Sequence, residues 1–213
     1  MLTVHHLGIS QSDRIVWLCE ELGLPYDLVR YDRDPVTRLA PADYRALTPF
    51  GTAPVITDGD RTLGESAAII DYIVARYADD RLTVGKDAAN FADYLYWFHF
   101  ANGSFMPAAM TALIVKMIAP DADPMRAAAF NARGDRAFAQ VEQRLGEVDY
   151  FAGAEFTAAD IMMLFPLTTG RIFVPRDLAP YPNIRAYLQR IGARPAFRTA
   201  MAKADPDLAP MLT

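Results

Sequence analysis

Cysteine is nearly absent: Cys19 is the only one in 213 residues. One thiol excludes an internal disulfide framework and a cysteine-built zinc site, and it fits a reducing compartment. Ser10-Gln11-Ser12-Asp13 contains no Cys-x-x-Cys, which excludes redox exchange by a protein dithiol. Positive charge is also short, with 21 Lys and Arg against 26 Asp and Glu and a net charge of −5. An acidic chain without a basic run is a poor match for nucleic acid or an anionic membrane. Arg171, Arg176, Arg185, Arg190, Arg194 and Arg198 are dispersed among apolar residues and read as solvated helix faces. The opening MLTVHHLGIS has no basic n-region and no long apolar run. The most apolar stretch, MTALIVKMIAP, is broken at Lys116, short of the ~18 residues that span a bilayer. A cytoplasmic location away from membranes is therefore expected. What the chain does have is 52% hydrophobic against 22% charged residues, a globular balance with ample core.

The first 78 residues alternate between two periods. LTVHHL reads as a strand, and Ser10–Leu22 as a helix with Ile15, Leu18, Cys19 and Leu22 on one face. Gly23 and Pro25 stop it. YDLVRY is a second strand and APADYRALTP a short helix. PVIT and RTL form a hairpin through Asp58-Gly59-Asp60, and Ser66–Tyr77 is a third helix. The order is β-α-β-α-β-β-α. Residues 79–87, DDRLTVGKD, form a candidate linker. Residues 88–213 are helical in pattern, with Ala89–Ile118 kinked or split by Pro107, then Pro124–Val148, then EFTAADIMMLF, then YPNIRAYLQRIGARPAF, ended or restarted at Pro195. An α/β domain at 1–78 thus precedes an all-α domain at 88–213.

Three stretches can carry chemistry. Pro54 opens a strand although proline donates no ladder hydrogen bond. The Ala53–Pro54 bond is either trans on an edge strand, the commoner case, or cis, turning the Ala53 main chain outward to pair with an extended peptide. Glu65 and Ser66 precede the third helix. Ser66 either caps it or, with the helix N-terminus, meets a carboxylate, while Glu65 meets an ammonium. Ser10 and Ser12 lie between the first strand and helix, as caps or facing a ligand. Cys19 falls on the apolar helix face as an inert thiol. His5 and His6 point to opposite strand faces, read as structural, and no metal site is expected.

Together these stretches resemble the glutathione transferase family, and VHHLGISQSDRIVWLCEELGLPYDLVRYDRD is similar to its bacterial and fungal members with serine after the first strand. The resemblance covers nearly the whole chain. It implies a thioredoxin-like N-terminal domain, a cis Pro54 and an all-helical C-terminal domain in which Thr157-Ala158-Ala159-Asp160 is a helix-capping box rather than a site. It also implies roles. Ala53, next to Pro54, would bond the cysteinyl backbone of glutathione, and Glu65 and Ser66 its γ-glutamyl end. Ser10, or alternatively Ser12, would donate to the sulfur. Arg38 is a candidate for the glycyl carboxylate by charge and position. Thr52 departs from the lysine or glutamine of many relatives at that end of the site.

One hydroxyl is about sufficient for the chemistry. A thiol of pKa ~8.5 is about 3% thiolate at pH 7, and lowering it by ~2 units needs about 2.7 kcal/mol. A hydrogen bond to a charged group contributes about 1.5–3 kcal/mol and a helix N-terminus ~0.3–1 kcal/mol. No tightly bound cofactor is expected; glutathione is the co-substrate. The second substrate would be a small apolar electrophile held by Phe98, Phe105, Met106 and Met110, although a stripe of this kind is more often helix core. The expected activity is detoxifying conjugation by a homodimer. Alternatives are glutathione-dependent reduction of peroxides or disulfides, and a non-catalytic binding module of the same fold.

Overall fold

The computed structural model describes residues 1–118, 121 and 123–213. The chain divides into two compact units, Met1–Thr83 with Gly192–Pro210, and Val84–Ile191 with Met211–Thr213.

In the first unit, Leu2–Leu7 (β1), Asp27–Tyr31 (β2), Val55–Asp58 (β3) and Arg61–Gly64 (β4) make a sheet ordered β2-β1-β3-β4. β1 and β2 are parallel because helix Asp13–Leu22 (α1) crosses between them; β1–β3 and β3–β4 are antiparallel. Gly23 ends α1 in the left-handed conformation at φ 64, and Gly59 turns the β3–β4 hairpin at φ 58. Ala42–Arg45 (α2) and Ser66–Tyr77 (α3) complete the expected order. The period-2 alternation of β1 divides its side chains. Leu7 joins Val55 and Tyr44 in a small core also packed by Tyr31, Leu47 and Ala53, and His6 faces the other way, toward Ser12 of the β1–α1 connection.

The second unit is helical: Phe91–Phe100 (α4), Met106–Ile118 (α5), Pro124–Glu147 (α6), Ala158–Leu167 (α7) and Pro182–Gly192 (α8), the last ending at the unit boundary. Between α4 and α5 lies a π turn, Ala101–Phe105, just before Pro107. The proline lacks the N–H that an unbroken α-helix would use there, so the expected interruption takes this form. Phe91–Val115 is continuous enough to meet the length and composition of a membrane span, which corrects the expectation drawn from the run broken at Lys116. Its buried Tyr94, Trp97, Phe98, Ala101 and Phe105 are core side chains, and the helices pack on α6 and α7.

One element departs from the expected partition of 88–213. Pro195 starts a new helix, Pro195–Ala204 (α9), with proline at its first turn, and this helix belongs to the first unit, packed on α1.

Candidate functional site

The Ala53–Pro54 bond is cis. Ala53 is half-buried, and its main chain joins none of the loop, turn or cap hydrogen bonds among the described residues. Antiparallel pairing sets Val55 opposite Gly64, so the start of β3 adjoins the end of β4 and the β4–α3 junction. Glu65 there is exposed with φ 71, and Ser66 is buried as the first residue of α3. Glu65 occupies the cap position and makes no side-chain cap bond. Ser66 does not cap the helix either: its Oγ accepts from Arg14 Nη1 at 3.3 Å. The first-turn N–H groups and their dipole therefore remain available to an anion.

Ser10 and Ser12 lie in the β1–α1 connection, after Ile9 at φ 54. Both are buried, at 4% and 0% exposure. Ser10 Oγ donates to the Leu7 carbonyl at 2.7 Å and lies 2.7 Å from Ser12 Oγ. Ser12 Oγ accepts from Leu7 N–H at 3.1 Å and lies 2.9 Å from His6 Nδ1. Neither hydroxyl makes the simple cap read from the sequence; the α1 cap position, Ser12, turns its side chain back to β1.

Residues 10–76 match the glutathione S-transferase N-terminal domain family, and residues 105–195 match the C-terminal domain family. Glutathione S-transferase 3 of Schizosaccharomyces pombe is 33% identical over 96% of this chain and 88% of its own length. The chain belongs to the glutathione S-transferase family. A crystal structure of a glutathione S-transferase from Actinobacillus pleuropneumoniae is 37% identical, with TM-score 0.88 over 98% of this chain and 97% of that one. A sphingomonad glutathione S-transferase solved in complex with glutathione shares the fold at 24% identity, TM-score 0.75, covering 95% of this chain and 98% of that one.

The remaining residues expected of a glutathione S-transferase site separate. Arg38 and Thr52 are exposed loop residues. Arg38 has φ 61, and its carbonyl accepts from Arg33 Nη1 at 3.0 Å. Of the four apolar candidates, Phe98 and Phe105 are corrected to core: they are 2% and 0% exposed, with Phe98 beside Tyr94 and Phe105 edge-on to Phe138. Met106 is half-buried and Met110 is 39% exposed, so these two retain surface for a ligand. Cys19 is fully buried, and burial, with the Glu20 charge adding, pushes its thiol up to about 12. Among the described residues no group of three or more His, Cys, Asp or Glu is arranged for a metal.

Three polar residues bear on this candidate site without having been singled out as functional. Arg14, fully buried on α1, bonds Ser66; a cation directly before the apolar run Ile15–Cys19 was its only sequence signal. His6, read as structural, contacts Ser12. Asp205, beyond α9, accepts from Ile9 N–H at 3.1 Å and contacts His6 Nε2 at 3.2 Å. Nothing local marks Asp205.

Proposed function

We propose that this glutathione transferase conjugates the glutathione sulfur to a small apolar electrophile in the cytoplasm, and that its first unit binds the tripeptide. The observation that carries the reading is the uncapped N-terminus of α3, with buried Ser66 and exposed Glu65 beside the β3 entrance. Its N–H groups and Ser66 suit the γ-glutamyl carboxylate, Glu65 suits the ammonium, and Ala53 pairs with the cysteinyl main chain. Arg38 and Thr52 are assigned to the glycyl end, and Met106 and Met110 to the apolar substrate.

Ser10 acts on the sulfur by turning its hydroxyl away from Leu7. The hydrogen bond given up is neutral and the one gained is to an anion, which is roughly twice as strong. We predict that Ser10→Ala lowers kcat/KM by about tenfold or more, corresponding to a loss of about 1.4 kcal/mol. An unchanged rate in a folded variant moves the role to Ser12 or to main-chain N–H groups. Calorimetric titration with glutathione reads the binding half separately, and no heat at millimolar ligand overturns it. A panel of aryl halide, hydroperoxide and disulfide sorts conjugation from reduction. The same reading takes the protein as a homodimer, in which a second copy covers Phe50, now 81% exposed; sedimentation of the purified protein checks this.

A further inference from the structure

Behind Ser10 runs a chain of polar contacts that the reading above leaves without a role. Asp205 Oδ2 lies 3.2 Å from His6 Nε2, and His6 Nδ1 lies 2.9 Å from Ser12 Oγ. Ser12 Oγ lies 2.7 Å from Ser10 Oγ, which lies 2.7 Å from the Leu7 carbonyl. The two ends, a carboxylate and a carbonyl, only accept. Four contacts therefore require four hydrogens. The two hydroxyls supply two, a neutral imidazole supplies one and an imidazolium two. Ser12 Oγ also lies 3.3 Å from the Leu7 carbonyl, the longest contact of the cluster. Each of the four shorter contacts receives a hydrogen only when His6 carries one on each ring nitrogen.

That condition also fixes the direction of donation. His6 donates to Asp205 on one side and to Ser12 on the other, Ser12 donates to Ser10, and Ser10 donates onward. Main-chain groups complete both oxygens: Leu7 N–H reaches Ser12 Oγ at 3.1 Å, and Ser12 N–H reaches Ser10 Oγ at 3.2 Å. Each hydroxyl then accepts twice and donates once. Asp205 faces His6 directly; burial raises this carboxyl, but the His6 hydrogen bond and charge, the Ile9 N–H and the Arg30 charge together outweigh burial and hold it below the usual carboxylate range. Arg30, the β2 register partner of His6, and Arg33 are the neighbouring cations, and both act on Asp205. Arg33 is itself engaged by the Gly8 and Ile9 carbonyls at 2.8 and 3.1 Å.

We propose that Asp205, His6 and Ser12 are positioning residues that transmit the His6 positive charge to the Ser10 hydroxyl and make it a stronger hydrogen-bond donor to the glutathione sulfur. The proposal rests on the reading of Ser10 above. Hydrogen bonds that donate in one direction polarise one another, by about 10–30% per bond, so the charge acts on Ser10 without touching the substrate.

The test is a pH titration of the ultraviolet thiolate band of bound glutathione on the full-length protein. In His6→Asn and Asp205→Asn the thiol pKa should rise by about one unit and kcat near neutral pH should fall about tenfold, while KM for glutathione stays within about twofold. Asp205→Asn keeps an acceptor for Ile9 N–H, so it serves where His6→Asn fails to fold. Unshifted titrations in the folded variants overturn the relay. So does an equal shift when His6→Asn is placed in a Ser10→Ala background, because His6 would then act without Ser10. A Ser10→Ala enzyme with an unchanged titration overturns the Ser10 reading, and the relay with it. A shifted Ser10→Ala beside unshifted His6→Asn and Asp205→Asn overturns the relay alone.

Discussion

Arg14 places a buried cation beside Ser66, at the start of α3. Burial lowers its guanidinium to about 10, with Asp13 opposing the shift, so it stays charged at neutral pH. Its fork also reaches Gln11, in the loop that carries Ser10 and Ser12. One side chain thus ties the β1–α1 connection to the start of α3 and adds positive charge where an anion is expected. Arg14→Met takes away the cation next to buried Asp13 and the donor to Ser66, and breaking a buried charge pair in this way costs about 3 kcal/mol or more. Arg14→Lys keeps the charge but not the fork, so its loss should be smaller. Urea midpoints of the three proteins check both; a neutral Arg14→Met would deny the guanidinium any structural role. At this scale the sequence was legible where the signal is local. Pro54 before a strand, Glu65-Ser66 before a helix, and Ser10 between a strand and a helix each announce themselves within a few positions. Arg14–Ser66 and His6–Asp205 do not, because they join residues 52 and 199 positions apart.

Helices and strands were more legible than single contacts, since periodicity averages over many residues. β1 and α3 occupy the ranges read for them, and Thr157–Asp160 forms the expected capping box at α7. The form taken by the break at Pro107 was not legible, because a missing N–H says where a helix is interrupted and not that a π turn will absorb it. The capping box does more than close a helix. Asp160 is fully buried and also accepts from Phe151 N–H at 3.0 Å and Tyr187 O–H at 3.2 Å. Asp160→Ala leaves these buried donors without their acceptor, at a cost of about 3 kcal/mol. Burial raises this carboxyl from 3.8 to about 6, against the opposing pull of its hydrogen bonds. The sign of the pH effect follows. As pH falls from about 6 to about 4, the folded state takes up a proton that the unfolded state does not, and native stability gains. Asp160→Ala lacks that gain. The stability gap between the two proteins should therefore widen in acid, and urea unfolding near pH 7 and about pH 4.5 reads it. A gap that narrows would contradict a raised Asp160.

At the scale of the whole molecule, the chain leaves its first unit and returns to complete it. The reason lies in α1. Ile15, Leu18 and Leu22 form the stripe visible in the sequence, but Val16 and Trp17 off that stripe are also fully buried. A helix apolar on more than one face needs more than one partner. The sheet and α3 supply one, and α9 supplies the other: Phe197 packs edge-on to Trp17 at 5.3 Å, and Arg194 forks onto the Glu21 carboxylate at 2.6 and 2.7 Å. Val16-Trp17 was therefore a readable sign that some later segment must cover α1, although it does not say which. Asp205 follows directly on α9, so the helix that covers α1 also delivers the carboxylate to Ile9 and His6. Phe197→Ala should cost about 3–5 kcal/mol through the cavity left against Trp17. A chain ended at Gly192 loses both the cover and the carboxylate. It should show a red-shifted Trp17 emission in a Trp97→Phe background, and it should lose glutathione binding although Ala53, Glu65 and Ser66 are all present. Native-like emission and undiminished glutathione binding in that shortened chain would show that residues 1–83 hold the site without α9.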